Sequence, residues 1–185
     1  MLRQFDSDLA GRFTWGGILT LVTVTSTLAA ACGTPFAALG ALGALFLPQR
    51  DAFILIFVNW LANQAIGFAF LHYPHTLECY LGGLHLLVAA WLCTIAAMFT
   101  KVHLSRKGAA LKAMVSFTAA LVVYEGSLFA LSPSASASDF ALPVVAYIVK
   151  VNAIALVGLL LVKTAASRLG FAFPPSQMAS AADGR

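Results

Sequence analysis

Charge is scarce in this chain: Asp, Glu, Lys and Arg make up 10% of its 185 residues, while 61% are hydrophobic. A soluble domain carries about a quarter charged residues and about half apolar ones. No soluble core hides that much apolar surface, so the composition points to lipid as the solvent. Cysteine is scarce as well. Cys32, Cys79 and Cys93 are odd in number and form no CxxC pair. They read as small apolar fillers, with a Cys32–Cys79 disulfide open if both lie near the outer surface. Also missing are a Walker A loop, a nucleophile elbow, an HExxH pair and a Rossmann glycine pattern. Nothing in the sequence therefore supports ATP hydrolysis or any other enzyme activity in this chain, and no cofactor is implied.

The formal net charge is +4, but the basic residues sit in short gaps between apolar runs rather than clustering as a nucleic-acid surface does. They read as topology signals, and no nucleic-acid partner is expected. The first eight residues carry Asp6 and Asp8 and are not followed by a typical signal-peptide cleavage pattern. The first apolar run is expected to be a retained helix.

A helix needs about 20 apolar residues to cross the hydrocarbon. Candidate runs are 15–32, 35–47, 52–72, 80–100, 113–131 and 141–162. The second is short and, taken alone, suits a re-entrant segment equally well. Charge placement decides in favour of a crossing. With both termini inside, the inner segments 1–14, 48–51, 101–112 and the tail hold ten of the eleven Lys and Arg residues. The outer segments 33–34, 73–79 and 132–139 hold none, and the eleventh, Lys150, falls within a run. That distribution satisfies the positive-inside rule only if the second run crosses. The expected fold is an all-α, polytopic membrane bundle of six transmembrane helices with cytoplasmic termini. It forms one domain over 1–172, with a disordered tail from 173 to 185 that begins at Phe173-Pro174-Pro175. The segment 132–139 reads as a flexible outer loop, with Asp139 placed to cap the sixth helix.

Polar residues inside such runs cost at least about 2.5 kcal/mol if charged, so each is a functional candidate. Glu125 lies about six residues, roughly 9 Å, below the outer end of the fifth run. Lys150 lies about nine residues, on the order of 14 Å, into the sixth. Asn63 and Gln64 sit at similar depth in the third run, with Asn59 deeper and on the Asn63 face at i, i+4. Tyr147 and Lys150 share a face at i, i+3, Tyr124 adjoins Glu125, and Trp91 offers a further ring. The common depth suggests a ligand site open to the outside: Glu125 and Lys150 for charged ends, the amides for hydrogen bonds, the rings for stacking. The competing explanation is packing, in which the amides join neighbouring helices and Glu125 pairs with Lys150. His72, His75 and His85 are weak metal candidates, because Pro74 interrupts any helical clamp between the first two.

Small residues at 37–44 give small-xxx-small spacing, a signal of close helix contact. The stretch Gly33-Thr34-Pro35-Phe36-Ala37-Ala38-Leu39-Gly40-Ala41-Leu42-Gly43-Ala44-Leu45-Phe46-Leu47-Pro48 leads into a helix with Asn59, Asn63 and Gly67. With the chain's size and inside-to-inside plan, this resembles the substrate-binding S component of energy-coupling-factor vitamin transporters. The resemblance implies an outward-facing vitamin pocket and a separate transmembrane coupling subunit with two ATPases. The family's coupling motif is AxxxA in the first helix. Here 16–24 reads Gly-Gly-Ile-Leu-Thr-Leu-Val-Thr-Val instead.

The expectation is a substrate-binding and uptake subunit for a small polar or zwitterionic nutrient, in a bacterial inner membrane. The alternatives are a proton-coupled transporter with Glu125 as carrier, and a non-transport assembly or anchoring subunit.

Overall fold

The computed structural model describes residues 11, 14–25, 34–131 and 141–168. These form helices and no strand: α1 (Thr14–Thr25), α2 (Phe36–Phe46), α3 (Gln49–Ala69), α4 (Leu77–His103), α5 (Ala109–Leu131) and α6 (Leu142–Arg168). Four of them, α3 to α6, are long and apolar enough to cross a membrane. Their outward faces are apolar too, with Leu61 at 52%, Val122 at 66% and Leu161 at 65% exposure. Soluble monomers rarely expose such continuous apolar surface, and a helix apolar on all sides belongs in a lipid or protein interior.

Local chemistry sets the boundaries. Pro35 and Pro48 stand immediately before α2 and α3, where a missing N–H is tolerated and helical φ is preset. The end of α3 wraps back on itself, with Leu71 N–H on the Ile66 carbonyl and Tyr73 N–H on that of Gly67. His72 then takes φ 55°, the left-handed turn that lets Pro74 redirect the chain. Thr76 caps α4 by accepting from Cys79 N–H at 3.3 Å, with Glu78 in the first turn and Lys101 and His103 in the last. Both charge placements complement the helix dipole.

The short helix α2 is the hub. It has 11 residues, all buried from Phe36 to Leu45, and spans only about 16 Å. Around it stand α3, α4, α5 and α6, with α1 bringing Trp15 edge-on to Phe46 at 6.1 Å. Contact pairs fix the directions. Phe36, Gly40 and Ala44 of α2 meet Cys93, Thr94 and Lys101 of α4 in the same order. Phe53 and Trp60 of α3 meet Trp91 and Gly83 in the reverse order. Thr100 bonds Ser116, and Lys112 bonds the Ser105 carbonyl, so α5 runs against α4. Asn152 meets the start of α2 and Lys163 its end. Successive helices therefore alternate in direction, and a basic end with Lys101, Lys112 and Lys163 opposes a far end with Asn63, Gln64 and Glu125.

Both ends of α2 are tied down by side chains from other helices. Asn152 Oδ1 accepts from Ala38 N–H at 3.0 Å, which satisfies a first-turn donor. At the other end Lys101 Nζ donates to the Ala44 carbonyl at 2.8 Å, and Lys163 Nζ lies 4.2 Å from the centre of the Phe46 ring. Cations at the negative end of a helix and over an aromatic face are both favourable placements. Cys79 and Cys93 are free thiols. Cys32, the loop at 132–139 with Asp139, and the tail lie outside the described residues.

Candidate functional site

The predicted polar residues fall into three groups. Asn63 and Gln64 belong to a bonded set at the far end. Asn63 Nδ2 donates to Thr34 Oγ1 at 2.6 Å, holding the two non-helical residues that precede α2. Gln64 Nε2 donates to Asn63 Oδ1 at 3.2 Å. The Gln64 amide lies against Gly83, where a Cβ would come within 2.5 Å of its Oε1. Trp60 Nε1 donates to the Gly83 carbonyl at 2.6 Å. Glycine at 83 leaves the space that the Gln64 amide occupies, and these side chains do the joining work expected of packing contacts.

A second group is buried but incompletely bonded. Asn59 is fully buried; its Nδ2 donates to the Leu55 carbonyl at 2.8 Å and to Thr20 Oγ1 at 3.4 Å. Its Oδ1, Trp91 Nε1 and both carboxylate oxygens of Glu125 are buried without a hydrogen-bond partner among the described residues. Trp91 packs edge-on to Phe53 at 6.3 Å. Glu125 continues the row Phe117, Leu121 at i, i+4 spacing, and those two pack on the core. Next to it Tyr124 is buried, with its ring tilted against Phe36 at 6.3 Å. A carboxylate at the end of an apolar row, within a helix long enough to span a membrane, is costly to leave unmatched.

The third group faces away. Tyr147 and Lys150 do share a face of α6, but it is the outward one, and both are exposed. No ion pair joins Lys150 to Glu125. The structure brings Asn63 and Tyr124 to the first residues of α2 and leaves Lys150 apart from them.

The histidines form no metal centre: among the described residues no group of three His, Cys, Asp or Glu side chains is placed to hold an ion. His75 instead stacks on Phe68 at 5.2 Å and shares a 2.8 Å hydrogen bond with the Tyr80 hydroxyl. Tyr80 stacks on Phe68 as well, at 5.0 Å. His72 is exposed and His85 half-buried. An open apolar groove of about 560 Å³ runs along α5 past Met114, Thr118 and Val122, and no predicted residue lines it.

No protein-family model, curated protein or solved structure matches this chain. Function has to come from the residues themselves. Two that sequence reasoning passed over are structurally central. Asn152 is buried and holds the start of α2. Lys101, read only as a topology signal, holds its end. Asn152 had a signal in the sequence, since it is an intramembrane amide like Asn59 and Asn63. Lys101 had none that separated it from its basic neighbours.

Proposed function

We propose that this chain is the substrate-binding and uptake subunit for a small polar nutrient, such as a vitamin or a vitamin precursor, in a bacterial inner membrane. The observation that carries the reading is Glu125. While Asn63 and Gln64 are bonded within the protein, the Glu125 carboxylate is buried and has no partner among the described residues. A ligand is the simplest source of the missing partner, and an apolar pocket with a few fixed polar groups is how small molecules are held.

The bundle would cross the membrane six times with both ends inside. Alternating helix directions and the distribution of Lys and Arg support that plan. In it, α2 reaches only part-way through the hydrocarbon and begins beside the non-helical residues Thr34 and Pro35, both buried. Non-helical backbone at membrane depth is tolerated where protein buries it or a cavity lies beside it. A transmembrane coupling subunit with ATPases would supply the energy.

One observation favours a second reading, an assembly or anchoring subunit. Lys150 and Tyr147 stand on the outward face of a helix long enough to span a membrane, where another protein's helix could match them. Native mass spectrometry of the detergent-purified chain separates the two. The binding reading expects a co-purified small molecule that is lost in Glu125→Gln. A protein that stays empty with a panel of vitamins, and whose Glu125→Gln variant is merely less stable, supports the assembly reading.

A further inference from the structure

The buried carboxylate of Glu125 is a pair of acceptors with no donor from the described residues. Each amide of this region has a donor engaged within the protein: Asn63 with Thr34, Gln64 with Asn63, Asn152 with the Ile148 carbonyl, and Asn59 with both Leu55 and Thr20. Trp60 spends its N–H on Gly83. Buried without a hydrogen-bond partner among the described residues are three acceptors, both oxygens of Glu125 and Asn59 Oδ1, and on the donor side Trp91 Nε1.

The charges tell the same story. Lys101 and Lys112 are engaged with backbone carbonyls at the basic end, and Lys163 lies over Phe46 there. Lys150 is exposed on the outward face of α6. No described cation of the protein faces the Glu125 carboxylate. The start of α2, which would otherwise favour an anion, already has its Ala38 N–H bonded to Asn152.

We infer that the molecule bound at Glu125 is an organic cation bearing N–H donors, such as a primary amine or a protonated nitrogen heterocycle, and not a carboxylate, a phosphate or a zwitterion. This rests on the binding-subunit reading and narrows it. An N–H cation supplies both the charge and the donors that the carboxylate lacks, in the short, strong geometry of charge-assisted bonds. An anion would set like charges together in a weakly screening interior. Bare alkali or alkaline-earth ions are poor matches, because hard cations take several oxygen ligands and a single carboxylate supplies two.

The test uses the full chain in detergent and a charge series on one skeleton: tryptamine, tryptophan and indole-3-propionate, with benzylamine and benzoate as a second pair. Sodium and potassium chloride are added as the inorganic arm. Thermal unfolding is read for the wild type, Glu125→Gln and Lys150→Met. At roughly ten times its dissociation constant a ligand raises the midpoint of a chain this size by about 4 °C. An amine should do so in the wild type and in Lys150→Met, the matched carboxylate and the salts should not, and Glu125→Gln should lose the shift. Stabilisation by a carboxylate or by the salts alone overturns the inference, as does a series in which no amine stabilises the wild type. Because the charge series is run on the wild type, a misfolded Glu125→Gln does not blunt it. A co-purified anion lost in Glu125→Gln would sink the cation class while leaving the binding-subunit reading standing.

Discussion

Gly40 and Gly43 offer a paired test of how tightly α2 is gripped. Both are on the same short helix, and each becomes Ala by one added methyl. At Gly40 the new Cβ would lie 2.8 Å from Thr94 Oγ1, 3.0 Å from Cys93 Sγ and 3.4 Å from the Thr94 Cα. Carbon contacts are comfortable at about 3.5–4.0 Å. Neither side chain is free to swing aside, since Thr94 Oγ1 bonds the Ala90 carbonyl at 2.7 Å and Cys93 Sγ bonds it at 3.1 Å. The backbone of α4 has to move. Overpacking of this kind costs about 1–3 kcal/mol, partly offset by about 1 kcal/mol of improved helix propensity. The net loss should be about 0–2 kcal/mol. At Gly43 the nearest atom is the Ala52 Cβ at 3.5 Å, an ordinary contact, so only the propensity term acts and the variant should match or exceed the wild type. Denaturant titration in a mild detergent, followed by tryptophan fluorescence, reads the difference. Adding Thr94→Ala to Gly40→Ala should recover part of the loss, because it removes the closest atom, and neighbouring sites couple by about 0.5–3 kcal/mol. Equal stabilities for the two single variants, or a more stable Gly40→Ala, would refute the proposed contact between α2 and α4.

Other outcomes follow from the same packing. Asn152→Ala strips the Ala38 N–H of its acceptor and should destabilise by about 1–3 kcal/mol, the cost of an unsatisfied buried group, measured by the same titration. Lys101→Met should cost a similar amount by exposing the Ala44 carbonyl to an apolar environment, and a Lys101→Arg variant, which can still donate there, should recover most of it. In a cysteine-free background, a membrane-impermeant thiol reagent added outside intact cells should label His75→Cys and leave Arg106→Cys unmodified. The opposite pattern would invert the proposed topology.

The sequence reading recovered helix existence better than helix ends. The third run, expected at 52–72, is Gln49–Ala69, and the fourth, expected at 80–100, is Leu77–His103. Hydropathy locates the hydrocarbon, whereas a helix starts and stops where its caps lie. Pro48 starts α3 before Arg50 and Asp51, Thr76 starts α4 before Glu78, and the left-handed His72 closes the turn after α3. The short second run was legible as 35–47 because a proline bounds each side of it. Its wholly buried position at the centre was not, since a helix apolar on every side gives no clue to what surrounds it.

The same blindness explains Lys150. Its depth in α6 could be counted along the chain, but the rotation of a uniformly apolar helix cannot be read from pattern. Asn152 lies two residues on, about 200° around the helix. The bundle buries Asn152 against α2, and that single choice turns Lys150 and Tyr147 outward. For Asn63 and Gln64, the depth in the third helix could be counted along the chain, while the contacts that occupy them depend on Thr34 and Gly83 arriving from elsewhere in the fold. Glu125 was legible as an isolated intramembrane acid. That nothing described in the fold pairs with it emerged only from the packing.

Transport by cells tests the central claim most directly. Once the co-purified molecule is identified, its accumulation is measured in cells expressing the wild type, Glu125→Gln or no copy of the chain. A binding and uptake subunit predicts accumulation that requires the wild-type chain and falls to background with Glu125→Gln, at equal protein levels in the membrane. Accumulation that is the same with and without the chain, or that Glu125→Gln leaves unchanged, would contradict it.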